Sequence, residues 1–330
     1  MTAKRKQMLL TGLLVLLALT ALSAVLLRGT GVGALDALRA VPPRSLALLA
    51  ALEAGYQLLD ALACRTVVRT RAPGFGLRQA WEVVHLNIFG DIASCGAASA
   101  PMQSYALHRC GLPVGAGLGL MTLRYVFHKL SVMLYASALL AAQWPWLKES
   151  GSAATRYLAL AYLVSAAISV GLALLCTWGR LQRLALRLAA RLPDTGKWAG
   201  RKGKLCAQLD ALYAESRRML RNKACCARLL ALNTVKLSLL CAMPWVCMRA
   251  LGLPCPGFAQ MQLLSSLMLL LTGVLPNVAG VGPTEFAFLL LFAPYAGQSG
   301  AALALVLYRA FTYYLPFLVS IGPFCRMGRW

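Results

Sequence analysis

The feature that most limits what this chain can fold into is an apolar run, about as long as a bilayer is thick, that keeps recurring. Met8 to Leu27 passes without a charged side chain, and similar runs follow at Ser45–Val68, Leu118–Ala142, Tyr157–Trp178, Leu229–Met248 and Ala301–Phe324. Wound as helices at ~1.5 Å per residue, such runs reach about 30 Å, the thickness of a hydrocarbon core. Hydrophobic residues make up 59% of the chain and charged ones 13%, too few to coat a soluble domain of this size. The expected class is an all-α polytopic membrane protein.

The net charge of +23 does not point to nucleic acid, because the basic residues stand in short connections beside the apolar runs. Lys4, Arg5 and Lys6 precede the first run; Arg65, Arg69, Arg71 and Arg78 close the second; Arg326 and Arg329 follow the last. The segment 180–228 holds thirteen Lys or Arg against three acids, Asp194, Asp210 and Glu215. The positive-inside rule puts this basic loop and both termini in the cytoplasm of a cell-membrane protein. Its stretches Gly179–Leu192 and Leu205–Leu220 have helical apolar spacing and read as amphipathic helices on the membrane face, against anionic lipid headgroups. The eleven cysteines sit mostly in apolar segments without a CxxC, as small packing residues do. His85, His108 and His128 lack metal-ligand spacing, and no P-loop, dinucleotide fingerprint or nucleophile elbow appears. No metal and no cofactor are expected.

Two segments are too polar and too broken to be plain spans. Gln79 to Arg109 carries Glu82, His85, Asn87 and Asp91, then the small-residue run SCGAASAP ending at Pro101. If it crossed, every later loop would change sides and the basic loop would face outward. The second segment, about 259–294, contains LTGVLPNVAGVGPTEFAF, where an apolar run breaks at Pro276, passes Asn277, Gly280, Gly282 and Pro283, and resumes with Glu285. Backbone groups that leave a helix at membrane depth must find partners in protein or in a wet cavity, since lipid offers none. Both segments therefore read as broken re-entrant helical hairpins, beside about six full spans. The chain reads as one transmembrane domain over 1–330, with halves 1–142 and 229–330 joined by a span and the basic loop in 143–228. The hairpins open to opposite sides, so the topology is that of an inverted repeat whose broken elements meet near the midplane.

Ionisable groups inside spans cost roughly 2.5–3.5 kcal/mol each on insertion scales, so they need a reason to be there. Glu53, Tyr56, Gln57 and Asp60 share a face of the second span; Arg124 and His128, with Lys129 adjacent, mark the third; Arg309, Thr312, Tyr313 and Pro316 share a face of the last. With Glu285, these residues are candidates to line a polar cavity for a charged headgroup. The plainer reading is buried ion pairing between helices, for example Glu285 with Arg309, and the two are compatible.

The element LPNVAGVGPTEFAF, the ending LYRAFTYYLP and the earlier piece ASCGAASAPMQSYALHRCGLP resemble motifs of the lysylphosphatidylglycerol synthase transmembrane family, also called flippase-like, over about 8–324. Val278 and Ala279 stand where the family has Pro and Gly, Ala98 and Ser99 replace a Gly pair, and Ser94 replaces a Pro. The resemblance points to Pro276, Gly280, Gly282, Glu285, Arg309, Tyr313, Tyr314 and Pro316, and to Pro101, Gln103, Arg109 and Gly111. It implies transfer across the cytoplasmic membrane of an anionic or aminoacylated phospholipid, which in the namesakes is lysylphosphatidylglycerol, displayed outward against cationic peptides. The namesakes' soluble aminoacyltransferase domain is not expected here, since the longest polar segment is about fifty residues. The alternative is the membrane part of a lysyltransferase system, either enzyme, with Glu285 or His128 as base, or docking partner of a separate synthase.

Overall fold

The computed structural model describes residues 34–94, 98–149, 155–190, 199–275 and 282–326. The first apolar run, at 8–27, lies outside them, as do Pro276 and Gly280. Among the described residues the elements are helices and one π-turn, with no strand. In chain order they are α1 (Ala34–Arg39), α2 (Pro43–Val68), α3 (Leu77–Ala93), α4 (Ser99–Arg109), α5 (Val114–Ala142), α6 (Trp144–Glu149) and α7 (Thr155–Thr177). There follow α8 (Gly179–Ala190), α9 (Ala199–Leu220), α10 (Lys223–Ala250), α11 (Phe258–Val274), α12 (Pro283–Arg309), the π-turn Ala310–Tyr314 and α13 (Leu315–Arg326).

Four stretches are long and apolar enough to cross a membrane: α2, α5, α10 and Pro283–Arg326. A fifth is added if Tyr162–Thr177 and Gly179–Leu188, which meet at 90°, count as one bent span. A straight helix of the 44 residues from Pro283 to Arg326 would measure about 66 Å, twice a bilayer core. It is not straight: Gly297, at φ 71° and ψ 165°, leaves the helical region. The break separates the second arm of a hairpin from a final span, close to the boundary expected from Pro294.

Both broken pairs are present, α3 with α4 and α11 with α12. Each first arm begins with the same device: Gly76 N–H donates to Gln79 Oε1 at 2.8 Å, and Gly257 N–H to Gln260 Oε1 at 2.7 Å. This cap takes up a backbone amide at the helix start, and its Gly-x-x-Gln spacing is an internal repeat not anticipated from the sequence. The packing is reciprocal too. The long helices α2 and α10 form the most extensive pair; α3 packs on the last span, α13, and α11 packs on α5 of the other half. Phe89 of α3 stacks on Phe324 at 3.9 Å and on Phe317 at 5.6 Å, anchoring one apolar core, while Phe288, Phe292 and Tyr308 anchor the other. A pseudo-two-fold relating the halves would produce this pattern.

The basic connection departs from expectation in one respect. Helix α8 turns perpendicular to α7, as a helix lying on a membrane face would. Helix α9 instead packs along α5, burying Leu212, Glu215, Ser216 and Met219. The buried Glu215 carboxylate also pairs with Arg71, just beyond the end of α2. Trp144 and Trp146 lie in the short helix α6.

Candidate functional site

The polar face of α2 turns inward. Glu53 and Gln57 are buried, with Gln57 Nε2 donating to Glu53 Oε1 at 2.6 Å. Two turns on, the Asp60 carboxylate accepts from Arg124 of α5 and, at 2.6 Å, from Lys236 Nζ of α10. Lys236 Nζ also stands 5.4 Å from the Tyr56 ring centre. Three helices from both halves thus meet on one carboxylate, and two cations compensate it.

At the second break the α12 start is built around Glu285. Gly282, at φ 94°, takes a conformation that side-chain-bearing residues avoid, and its N–H donates to Glu285 Oε2 at 2.6 Å. The other oxygen, Oε1, accepts from Arg309 Nε at 2.8 Å. Pro283 occupies the first helical position, where its missing N–H costs nothing. The Arg309 guanidinium stands 5.2 Å from the Tyr313 ring. Tyr313 lies in the π-turn, where Leu315 N–H reaches back to Ala310 O. Pro316, having no N–H, cannot continue the ordinary ladder, which accounts for the turn.

A cavity of about 250 Å³ opens beside this break, lined by Tyr56, His128, Lys129, Ser165, Ser169, Leu270, Thr272, Gly273 and Thr284 among others. Thr272 and Gly273 end the first arm, α11, and Thr284 begins the second, so the cavity faces both sides of the break. His128 Nδ1 is buried without a hydrogen-bond partner among the described residues. Lys129 stands 5.5 Å over the Tyr125 ring and, among the described residues, no carboxylate lies within ion-pair distance of it. A cavity with a cation and hydroxyls but no acid in its lining suits an anion.

A family model described as the lysylphosphatidylglycerol synthase TM region matches residues 9–320. The chain belongs to this family. It is an all-α, multi-pass membrane protein. No curated protein matches the chain.

In this family member the residues named from sequence fall into three groups. Asp60 and Arg124 join in one buried network, with Glu53 further back along the same helix; Glu285, Arg309 and Tyr313 form a second group; His128 lines the cavity. Gln103 goes elsewhere. Its amide and the Ser99 hydroxyl, the latter at 2.6 Å, both donate to Asn87 Oδ1, tying the two arms of the first hairpin together. Pro101 is exposed in the first turn of α4. Lys129, named from sequence beside His128, lines the cavity with it; Lys236, Thr272 and Thr284 were not singled out from sequence for the site. The two lysines carried a signal, being lone cations in apolar runs; the threonines carried none, since a membrane helix hides such hydroxyls against its own carbonyls, as Thr272 does on Leu269 O at 3.0 Å.

Proposed function

We propose that this protein moves an anionic or aminoacylated phospholipid between membrane leaflets, with the headgroup passing through the cavity at the second break. The observation that carries the reading is Lys129, a cation facing that cavity with no carboxylate beside it among the described residues. A lipid phosphate would supply the missing charge, and the hydroxyls of Ser165, Ser169 and Thr284 would meet its oxygens. The volume is smaller than the roughly 300–1,000 Å³ of pockets that enclose whole drug-sized ligands, so it suits a headgroup whose acyl chains stay in lipid. Glu53, Asp60, Arg124, Glu285 and Arg309 would hold the surrounding helices in register through ion pairs and hydrogen bonds that a headgroup can exchange.

Reconstitution in liposomes with headgroup-labelled phosphatidylglycerol and its lysyl form tests this, scored by protection from a reagent outside. Wild-type protein should speed exchange over empty liposomes. Lys129→Gln should slow it about tenfold or more, the effect of removing one charge-assisted hydrogen bond. It leaves no carboxylate orphaned, so the variant should elute as wild type does. Wild-type rates in Lys129→Gln, or no exchange by folded wild-type protein, would sink the proposal. A new lipid species formed from an activated aminoacyl donor would favour the transferase reading, in which the unpartnered His128 nitrogen is the available base.

A further inference from the structure

A cavity of about 330 Å³ lies far along α2 from the one just discussed. It sits where α2 ends and α10 begins, and Arg65, Arg69, Thr66, Asn222, Ala224 and Arg228 are among its lining residues. Three guanidinium groups converge there with no carboxylate in ion-pair distance among the described residues. The neighbouring acid, Glu215, is occupied by Arg71. Arg69 Nε is spent on Pro73 O at 3.0 Å, but Arg65 Nε is buried with no acceptor among the described residues. A buried donor left unmade costs roughly 1–3 kcal/mol, more for a charged group, so the pocket is incomplete as it stands.

The backbone adds donors. Asn222 caps α10, its side chain accepting from Cys225 N at 3.0 Å, while its carbonyl takes Cys226 N–H. The amides of Lys223 and Ala224 have no intrahelical partner, and the helix start carries partial positive charge.

The faces leading to the pocket decide what kind of anion fits. On α2, Ala47, Ala51, Ala54 and Leu58 form an exposed apolar stripe at helical spacing, and the next residues along it are Leu62, Arg65 and Arg69. On α10, Val235 and Ala231 are exposed and lead back to Arg228 and Ala224 in the same way. Leu58 and Val235 are 43% and 50% exposed, on helices apolar enough to cross a membrane. Two lipid-facing stripes on the most closely packed helix pair therefore run into one cluster of arginines.

We propose that this seam holds an anionic glycerophospholipid, its phosphodiester among Arg65, Arg69 and Arg228 and its acyl chains along the α2 and α10 stripes. The site is separate from the cavity at the second break and does not depend on transport. It is read by native mass spectrometry of detergent-purified protein titrated with phosphatidylglycerol, phosphatidylcholine or inorganic phosphate. Wild type should retain phosphatidylglycerol preferentially. Arg65→Gln with Arg228→Gln should weaken retention about a hundredfold, tenfold for each charge-assisted hydrogen bond removed, and Arg65→Lys with Arg228→Lys should recover part of it. Arg326→Gln, which removes one positive charge at an exposed site elsewhere, as Arg228→Gln alone does, should leave retention unchanged. Should the double variant not fold, Arg228→Gln alone, at an exposed residue, gives the same reading at a tenfold reduction. Equal retention in the pocket variants, equal binding of phosphatidylcholine, or displacement of the lipid by comparable inorganic phosphate would overturn the proposal, the last in favour of a free-anion site.

Discussion

The two broken hairpins share a plan and differ in what occupies the break. A glycine stands near the end of each first arm. At Gly90, an added Cβ would meet Met102 Sδ at 2.8 Å and the Ala98 carbonyl oxygen at 2.9 Å, both from the far side of the same break. At Gly273 it would meet only Lys129 Nζ, also at 2.8 Å, the far end of a flexible side chain from another helix. The first break is thus closed on itself by backbone approach and by the hydrogen bonds of Ser99 and Gln103 to Asn87. Around the second, among the described residues, Glu285 ties the start of α12 to Arg309, and a cavity lies beside it. One pair of arms is braced across its break by backbone approach, while the other borders a cavity.

The strongest way to break that contrast is to remove the carboxylate through which the start of α12 meets Arg309. Glu285→Ala takes the carboxylate from Arg309 and the cap from Gly282, and losing one member of a buried pair costs roughly 3–5 kcal/mol. Thermal unfolding should show the largest drop of any variant here; an unchanged midpoint would mean that the pair does not hold the break. Gly90→Ala comes next, at about 1–3 kcal/mol for overpacking against backbone that cannot step aside. Its effect should appear as stability, with exchange per folded molecule intact, and exchange lost from well-folded protein would show that the first break also serves transport. Gln79→Leu and Gln260→Leu each remove one cap bond, about 1 kcal/mol. Equal losses would sharpen the repeat relation, and losses differing by more than about 1 kcal/mol would break it. Gly273→Ala should cost least, since Ala suits a helix and only an ammonium must move. Its signature should be slower lipid exchange at nearly wild-type stability, and full exchange would free the Lys129 position from any role.

The legible part of this molecule was its polarity along the chain. Runs of Leu, Ala and Val bounded by arginines marked the long helices to within a few residues, because bilayer thickness dictates their length. The breaks were legible as well, since Pro283 and the glycines around it have few other uses in an apolar setting. What could not be read was pairing. Asp60 with Arg124 and Lys236 spans 64 and 176 residues, and nothing local announces such a meeting. Gln103 was named through the family resemblance, and the structure has it satisfying Asn87, 16 residues away. Helix α9 was read from its apolar spacing as a membrane-face helix, and that spacing could not show that Glu215 would be buried against Arg71. The paired Gly-x-x-Gln caps were in plain view, and their meaning depended on knowing that both start the same kind of arm.

Glu285 divides its labour between its two oxygens. One fastens the start of α12 to Gly282, and the other holds Arg309. Because the tasks fall on different atoms, one can change without the other. A rotation of the Arg309 side chain, on the timescale of rotamers, would free the guanidinium while the helix start stays wound, without waiting for a helix to melt and reform.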